Sequence, residues 1–436
     1  MIKIKIIVPL GNLLVLGCGR TMAQYFSIGA SMNSNDKRNF AGGIWHGGIL
    51  AIGNSLVRPT TVISALIVQL TGSTIWVGGL STVLTVAGTL PQIFVARWLE
   101  PKKRKMPYLM LAIYLRVASW GVLAWMIHAI GAEQPNLIAW ALIILLAVFY
   151  AGGGLGNIPF TDIIGKVIPL PRRGAFFGWR GALAGPLSVG AAMLAQRILA
   201  NVEYPDNYAI LFGLAAALLA LASLGFWVIR EPDSDVKDVR PQAWSAYWSD
   251  VARASLHLKP LVITELLTGF SLMALPFYVV YAKADLGAPL AAATGWYLIA
   301  QVGGGFVSNF LWARLVDRYD SRMMLFICAG VAAITPLLAI FVSQWGWEAL
   351  IPIFFLAGST FNGRRVGFQT MLLEVAPDAQ RGTYAGINSL LSLPIAFLPL
   401  AAGALLKVIS YPTLFIITAL FVGLGAASTF WLPKGK

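Results

Sequence analysis

The sequence predicts an all-α integral membrane protein with twelve transmembrane helices in two pseudo-symmetric six-helix bundles. Three observations carry that prediction. Hydrophobic residues make up 58% of the 436-residue chain and charged residues only 11%, with a mean hydropathy of +0.74. A soluble interior of this size cannot hide so much apolar side chain, so lipid must be the solvent for most of it. Apolar segments long enough to cross about 30 Å of hydrocarbon, roughly 20 residues at 1.5 Å each, follow one another from Ile44 onward. A short pattern is also stated twice: Pro169, Arg173, Gly174, Gly178 and Pro186 return in register as Pro377, Arg381, Gly382, Gly386 and Pro394. Upstream, Ala96, Arg97, Glu100 and Lys105 return as Ala313, Arg314, Asp317 and Arg322. Two echoes of this kind, each a basic turn between apolar segments, mark a duplicated half joined to itself.

Residues 1–38 form an N-terminal extension. Lys3 and Lys5 precede the apolar run Ile6 to Leu16, and Val15-Leu16-Gly17-Cys18 has the look of a lipoprotein cleavage box. The alternatives are a spare hydrophobic helix or a start at Met32, ahead of the polar run NSNDKRN. The first bundle takes residues 39–229, with spans near 44–70, 74–96, 107–130, 137–160, 174–199 and 208–229. Residues 230–259 are too polar to span. Pro232 and Pro241 break helix there, while Trp244, Tyr247, Trp248, Val251 and Leu256 fit an amphipathic surface helix tethering the bundles. The second bundle, 260–436, has spans near 260–281, 290–313, 323–343, 349–372, 384–407 and 413–432.

The net charge of +14 would suggest nucleic acid on a soluble protein. Here its placement makes it topological. The turns after even-numbered spans and the two tails carry most of the Lys and Arg, including Lys102 to Lys105, Arg172, Arg173, Arg314, Arg318 and Arg322; the opposite loops carry Lys283 and almost nothing else. The positive-inside rule then places both termini in the cytoplasm, in the cell membrane of a bacterial inner-membrane type, with anionic headgroups and not nucleic acid as neighbours. Trp76, Trp140, Trp345 and Trp347 near span ends suit an interfacial belt or helix packing. Two cysteines and three histidines show no ligand spacing, so neither a metal nor another cofactor is expected.

The turn Leu311 to Arg322 resembles the loop between the second and third helices of a half in the major facilitator superfamily, whose pattern is G-x-x-x-D-R-x-G-R-R. Asp317, Arg318 and Arg322 match it, while Asn309, Ala313 and Asp320 stand where small or glycine residues are often found. The first-half copy has Glu100 as its acid and Lys102 to Lys105 as its basic part. An acid at one helix end can sit against the positive N-terminus of a neighbour. The resemblance therefore implies a cytoplasmic gate formed by Glu100, Asp317, Arg318, Arg322, Arg173 and Arg381. The fifth span resembles the same family's G-x-x-x-G-P-x-x-G-G pattern through Gly181, Gly185, Pro186 and Gly190, with Val189 in place of one glycine. Small residues and a proline make that span closely packed and bendable.

An ionised side chain near the bilayer centre costs at least about 2.5 kcal/mol, so each one needs a reason. Arg58, beside Pro59 in the first span, falls on the same side of a helical wheel as Asn54 and Thr61. The resemblance puts the first span of each half along a central cavity, and Arg58 with it. In the tenth span Asn362, Arg365 and Gln369 share a face and Arg364 points elsewhere, to a structural partner. Arg58, Asn54, Asn362, Arg365 and Gln369 are the substrate-binding candidates; the alternative is that the arginines are neutralised helix-pairing devices. Glu265, Asp162 and His46 are the proton-coupling candidates, His46 because imidazole titrates near neutrality. Arg116 reads as structural. Gly152-Gly153-Gly154-Leu155-Gly156 lacks the preceding strand and following Lys-Ser/Thr of a phosphate loop, and close helix contact explains it better.

No Ser-His-Asp set, paired catalytic carboxylates or nucleotide-binding motif stands out, so no enzymatic activity is expected. The resemblance implies a monomeric secondary active transporter that works by alternating access, driven by protons or another ion through symport or antiport; Arg58 and Arg365 point to a small organic anion as its substrate. The other readings are a multidrug or hydrophobic-compound efflux antiporter, a non-transporting membrane receptor, and a membrane-embedded enzyme.

Overall fold

The computed structural model describes residues 33–99, 102–169, 172–233, 244–376 and 381–433. Within these, the side chains of 93, 94, 96, 97, 244–254, 257, 317 and 381–383 are outside the description. The run ending at Cys18, the acid Glu100 and linker residues 234–243 are therefore outside the described residues, as are the side chains of Asp317 and Arg381.

Twelve helical crossings follow one another among the described residues. The first bundle comprises Ser34–Thr71, Thr74–Leu99, Met106–Ile130, Pro135–Val167, Arg173–Asn201 and Asp206–Val228. In the second, Trp244–Gly269 continues through Ser271–Ala274 and Phe277–Ala284 as the seventh span. Leu290–Arg318, Ser321–Val342 and Ile351–Val375 come next. The eleventh span is jointed into Arg381–Leu391, Leu393–Phe397 and Leu398–Leu405, and Tyr411–Ser428 is the twelfth. Eleven crossings are long and apolar enough to traverse a bilayer. The tenth has the length but carries Arg364, Arg365 and Glu374.

Local chemistry sets the ends and breaks. Asn33 and Asp320 accept the backbone N–H groups of Asp36 at 2.8 Å and Met323 at 2.6 Å as N-caps; Asp320 thus has a purpose where the family pattern shows a small residue. Pro59, Pro276 and Pro394 lie at the breaks in the first, seventh and eleventh spans, because proline removes a donor and disfavours helix in the residue before it. The expected surface helix of the linker is not a separate element. From Trp244 the chain is one helix into the seventh span, so the boundary at 259 is not a break.

In the first bundle, span 1 packs on spans 5 and 6, span 3 on spans 4 and 6, and span 2 on span 4. The bundles meet through spans 2 and 11 and spans 5 and 8. Since the number of crossings is even, the start of the first span and the end of the twelfth lie on one face, which also carries the Lys and Arg turns; we call it the basic face. The seam belongs to the far half. Thr74 Oγ1 donates to Gly403 O at 2.7 Å, and a Cβ added to Gly78 would lie 2.0 Å from Pro399 O. Thr60 Oγ1 meets Gln301 Oε1 at 2.9 Å, and Gly185 at mid-span abuts the Phe306 ring. Nearer the basic face, Gly174, Gly178 and Gly181 of span 5 have open space where a Cβ would sit. A cavity of about 660 Å³ there is lined by Lys105, Asn157, Thr161, Asp162 and Lys166. Among the described residues the contacts between the bundles named above lie from mid-span to the far face, and span 5 has open space beside it on the basic side.

One carboxylate anchors the basic end of the first bundle. Glu231, only 3% exposed at its side chain, accepts the backbone N–H groups of Lys105 at 2.9 Å and Met106 at 2.8 Å, and the Lys166 ammonium at 2.9 Å. It sits where the N-terminus of span 3 presents unpaired donors and a partial positive charge. Replacing it with glutamine should remove about 1–3 kcal/mol of stability and lower the melting temperature of the detergent-solubilised protein. Unchanged melting of Glu231→Gln would rule out the capping role.

Candidate functional site

The first span is helical only to Leu56. Arg58 is extended, with φ −69° and ψ 129°, and Pro59–Ile63 winds as a π-helix before regular helix resumes at Ser64. The expected polar stripe of Asn54, Arg58 and Thr61 is thereby dissolved, since the break changes the register. Asn54 is exposed and Thr61 fully buried. Arg58 is left at the junction, partly buried, about 20 Å along the span from its far end at 1.5 Å per residue. The Tyr150 side chain of span 4 lies within electrostatic range of it.

Two further arginines reach the same side of span 4. Arg116 of span 3 lies over the Phe149 ring at 4.3 Å and against Gly152 and Gly153, where an added Cβ would stand 3.0 Å from Arg116 Cγ and 3.8 Å from its Nε. The glycine run is the bed of this side chain and the contact surface for Gly88 of span 2. Arg180 of span 5 lies 4.8 Å from the Phe160 ring. Its Nη1 donates to Gly43 O at 3.4 Å and its Nη2 faces His46 Nδ1 at 3.5 Å. Tyr150, Gly153, Asn157 and Phe160 recur at helical three- and four-residue spacing, so they share one face of span 4. Asn157 on that face is exposed to the cavity. Among the described residues no carboxylate pairs with Arg58, Arg116 or Arg180. Sequence reasoning passed over Arg180 and set Arg116 aside. The available signal was that an arginine inside an apolar span needs a partner, and neither has an acid within a turn.

His46 is 5% exposed and packs on Phe226 at 4.3 Å. Arginine can only donate, so Nδ1 is the acceptor facing it and the ring proton sits on Nε2. A charged imidazole would stand directly against the Arg180 guanidinium.

The second bundle neutralises its main cation. Arg364 donates to the Glu265 carbonyl at 2.8 Å and the Thr268 hydroxyl at 3.3 Å, with the Glu265 carboxylate 4.0 Å away. The other Glu265 oxygen accepts from Asn388 Nδ2 and Ser392 Oγ, both at 2.8 Å. Spans 7, 10 and 11 are thus tied together at one acid. Asn362 is committed elsewhere, donating to Gly305 O at 3.0 Å where spans 8 and 10 cross. This separates it from Arg365 and Gln369, which are exposed. The shared face of the helical wheel does not survive as a shared environment, because span 8 approaches too closely at Gly305.

At the basic face, Asp162 is held between Lys105 at 3.1 Å and Lys166 at 2.6 Å. Arg173 donates to the carbonyls of Gly165 and Ile168, which end span 4. Arg322 donates to Leu432 O at 3.4 Å and lies 5.2 Å from the Phe430 ring, joining spans 9 and 12. Arg318 lies against its neighbour Tyr319 and is exposed. The Ser321 hydroxyl donates to Glu374. Glu231 is an acid on a neighbouring helix N-terminus, the kind of contact expected of Glu100, which lies outside the described residues.

Comparison with known proteins agrees with this architecture. Residues 261–436 match the family model described as Major Facilitator Superfamily. No curated protein matches the chain by sequence. Among solved structures, a POT family transporter in complex with a thioalcohol-conjugated peptide is similar with a TM-score of 0.69 at 11% identity, covering 89% of this chain and 95% of that one. A mutant of the nucleoside transporter NupG gives a TM-score of 0.68 at 12% identity over 91% of this chain and 100% of its own. A D-xylose-proton symporter gives 0.67 at 15% identity, over 91% and 98%. The chain is therefore a multi-pass membrane protein with the fold of the major facilitator superfamily transporters, and its second half, residues 261–436, carries that family's sequence signature.

Proposed function

We propose that the protein is a secondary active transporter of small organic anions, working by alternating access across the cell membrane. The single observation that carries this reading is that Arg58, Arg116 and Arg180 lie inside the spans of the first bundle with no carboxylate partner among the described residues. Charge inside a membrane needs neutralising, and an incoming anion supplies what the protein does not. The open side is the basic face, which the Lys and Arg bias makes cytoplasmic, so the conformation is inward-open. The far seam of spans 2 and 11 is the contact that opens in the other half of the cycle.

Coupling belongs to the second bundle in this reading. Of the three candidates, Asp162 is bound by two lysines and His46 faces Arg180, whereas Glu265 joins three spans through one carboxylate. Proton uptake there removes the charge that faces Arg364, and the hold between spans 7, 10 and 11 weakens. Arg365 and Gln369 are the second bundle's contribution to cargo contact.

Replacing Arg58 with glutamine should abolish binding of the anionic cargo while the protein still elutes as a folded species. Undiminished uptake by that variant in proteoliposomes, across an anion panel, sinks the cavity assignment. Glu265→Gln should retain counterflow exchange yet lose gradient-driven accumulation; accumulation at the wild-type level places coupling elsewhere. Gly78→Val forces the far seam apart, so a cysteine introduced at Thr74 should gain reactivity toward a membrane-impermeant thiol reagent applied at the far face. Equal labelling in both backgrounds contradicts the gating role of that seam.

A further inference from the structure

Pro276 of span 7 and Pro336 of span 9 each withhold the backbone N–H that would meet the carbonyl four residues earlier. Those carbonyls belong to Leu272 and Ala332, and both residues line one cavity of about 20 Å³ in the second bundle. Ser271 of span 7, Thr335 of span 9, Thr360 of span 10 and Thr418 of span 12 line it too, so four spans meet there, close to the middle of their crossings. The volume admits one water-sized occupant and no organic cargo.

The polar hydrogens at this cavity are largely committed. The Thr335 hydroxyl donates to Val331 O at 2.7 Å and the Thr360 hydroxyl to Leu356 O at 3.0 Å. Each bond stays within its own helix, so both oxygens are left with lone pairs only. Thr418 is 1% exposed, and its Oγ1 has no hydrogen-bond partner among the described residues. A buried oxygen in that position is costly until something meets it. A water molecule has two hydrogens to give, whereas Thr335, Thr360 and the two carbonyls already make four acceptors. A hard cation gathers oxygens on all sides, and carbonyls freed at interrupted spans are its ligands in membranes. No carboxylate lines the cavity, which suits a single charge and not a divalent ion. Arg364, one turn from Thr360 toward the basic face, turns its guanidinium to Glu265 and Thr268, so its charge is already answered.

We infer that this cavity binds one small monovalent cation of the size of sodium, held by the threonine hydroxyls and proline-freed carbonyls of spans 7, 9, 10 and 12. The site lies in the other bundle from Arg58, Arg116 and Arg180 and goes beyond the anion reading without depending on it.

Sodium itself is the probe. Binding of radiolabelled Na⁺ to the purified full-length protein is measured with no organic anion present, at an ionic strength held constant with choline chloride. It should saturate and be displaced by unlabelled Na⁺ but not by choline, which is too large to enter. Thr335→Val and Thr418→Val keep the side-chain shape and remove one oxygen each, and each should weaken binding on the order of tenfold. Thr335→Ser, which restores the oxygen, should bind as the wild type does. The two valine variants sit in different spans, so failure of one to elute as a folded species leaves the other to decide. Absence of saturable sodium binding to the wild type overturns the inference and leaves water as the occupant. Wild-type affinity in a folded valine variant overturns it as well, because sodium is then held elsewhere. Either result leaves the anion reading standing, since that falls or holds on the response of Arg58→Gln to anions.

Discussion

Hydrocarbon can neither solvate a charge nor hydrogen-bond a backbone, and that single constraint governs the whole architecture. It makes every crossing a helix. It also turns each embedded polar side chain into a question about partners, and the two bundles answer it differently. The second pairs Arg364 with Glu265 and adds Asn388, Ser392 and Thr268 to complete the set. The first places Arg116 and Arg180 on aromatic rings, a carbonyl and glycines, which satisfy geometry without cancelling charge. The second bundle thus pairs its part-buried Arg364 with an acid, and the first leaves Arg116 and Arg180 without one among the described residues.

The same constraint explains the basic face. Helix ends there leave the hydrocarbon with unpaired backbone groups, and the ionic side chains close them. Glu231 covers the start of span 3, Arg173 the end of span 4, and Asp320 the start of span 9. The first two of these contacts link helices within the first bundle, as Glu265 links spans 7, 10 and 11 within the second. The contacts between bundles are of another kind: small residues and backbone carbonyls at Gly78, Gly403 and Gly185, with the Thr60–Gln301 contact. Units that are ionically tied inside and only packed against each other are suited to moving as bodies.

Much of this was legible in the sequence. The repeat of Pro169, Arg173, Gly174 and Gly178 and the run of apolar segments give twelve crossings in two sixes, because span length and duplication are properties of the chain alone. The site was legible only in part. A helical wheel presumes an unbroken helix, and Pro59 ends that presumption one residue after Arg58, so Asn54 and Thr61 went to different environments. Asn362 shares a wheel face with Arg365 and Gln369, but a neighbour's glycine draws it into a helix crossing, and no single-helix projection contains the neighbour. Arg180 escaped notice because its meaning lies in what surrounds it, His46 and Phe160 from two other spans. Glu231 was hidden for a similar reason, since a cap of a helix more than a hundred residues upstream leaves no local mark.

The prolines shared by the two halves have had unequal consequences. Pro186 lies within a continuous helix, Arg173–Asn201, whereas its counterpart Pro394, followed by Pro399, leaves the eleventh span in three pieces with a 3₁₀ segment between. The symmetry is thus one of topology and not of stiffness. One half has a continuous helix where the other has a jointed one, the joint lying at Ser392 to Phe397. Ser392 also holds the Glu265 carboxylate, so the joint is tied directly to the acid that links spans 7, 10 and 11.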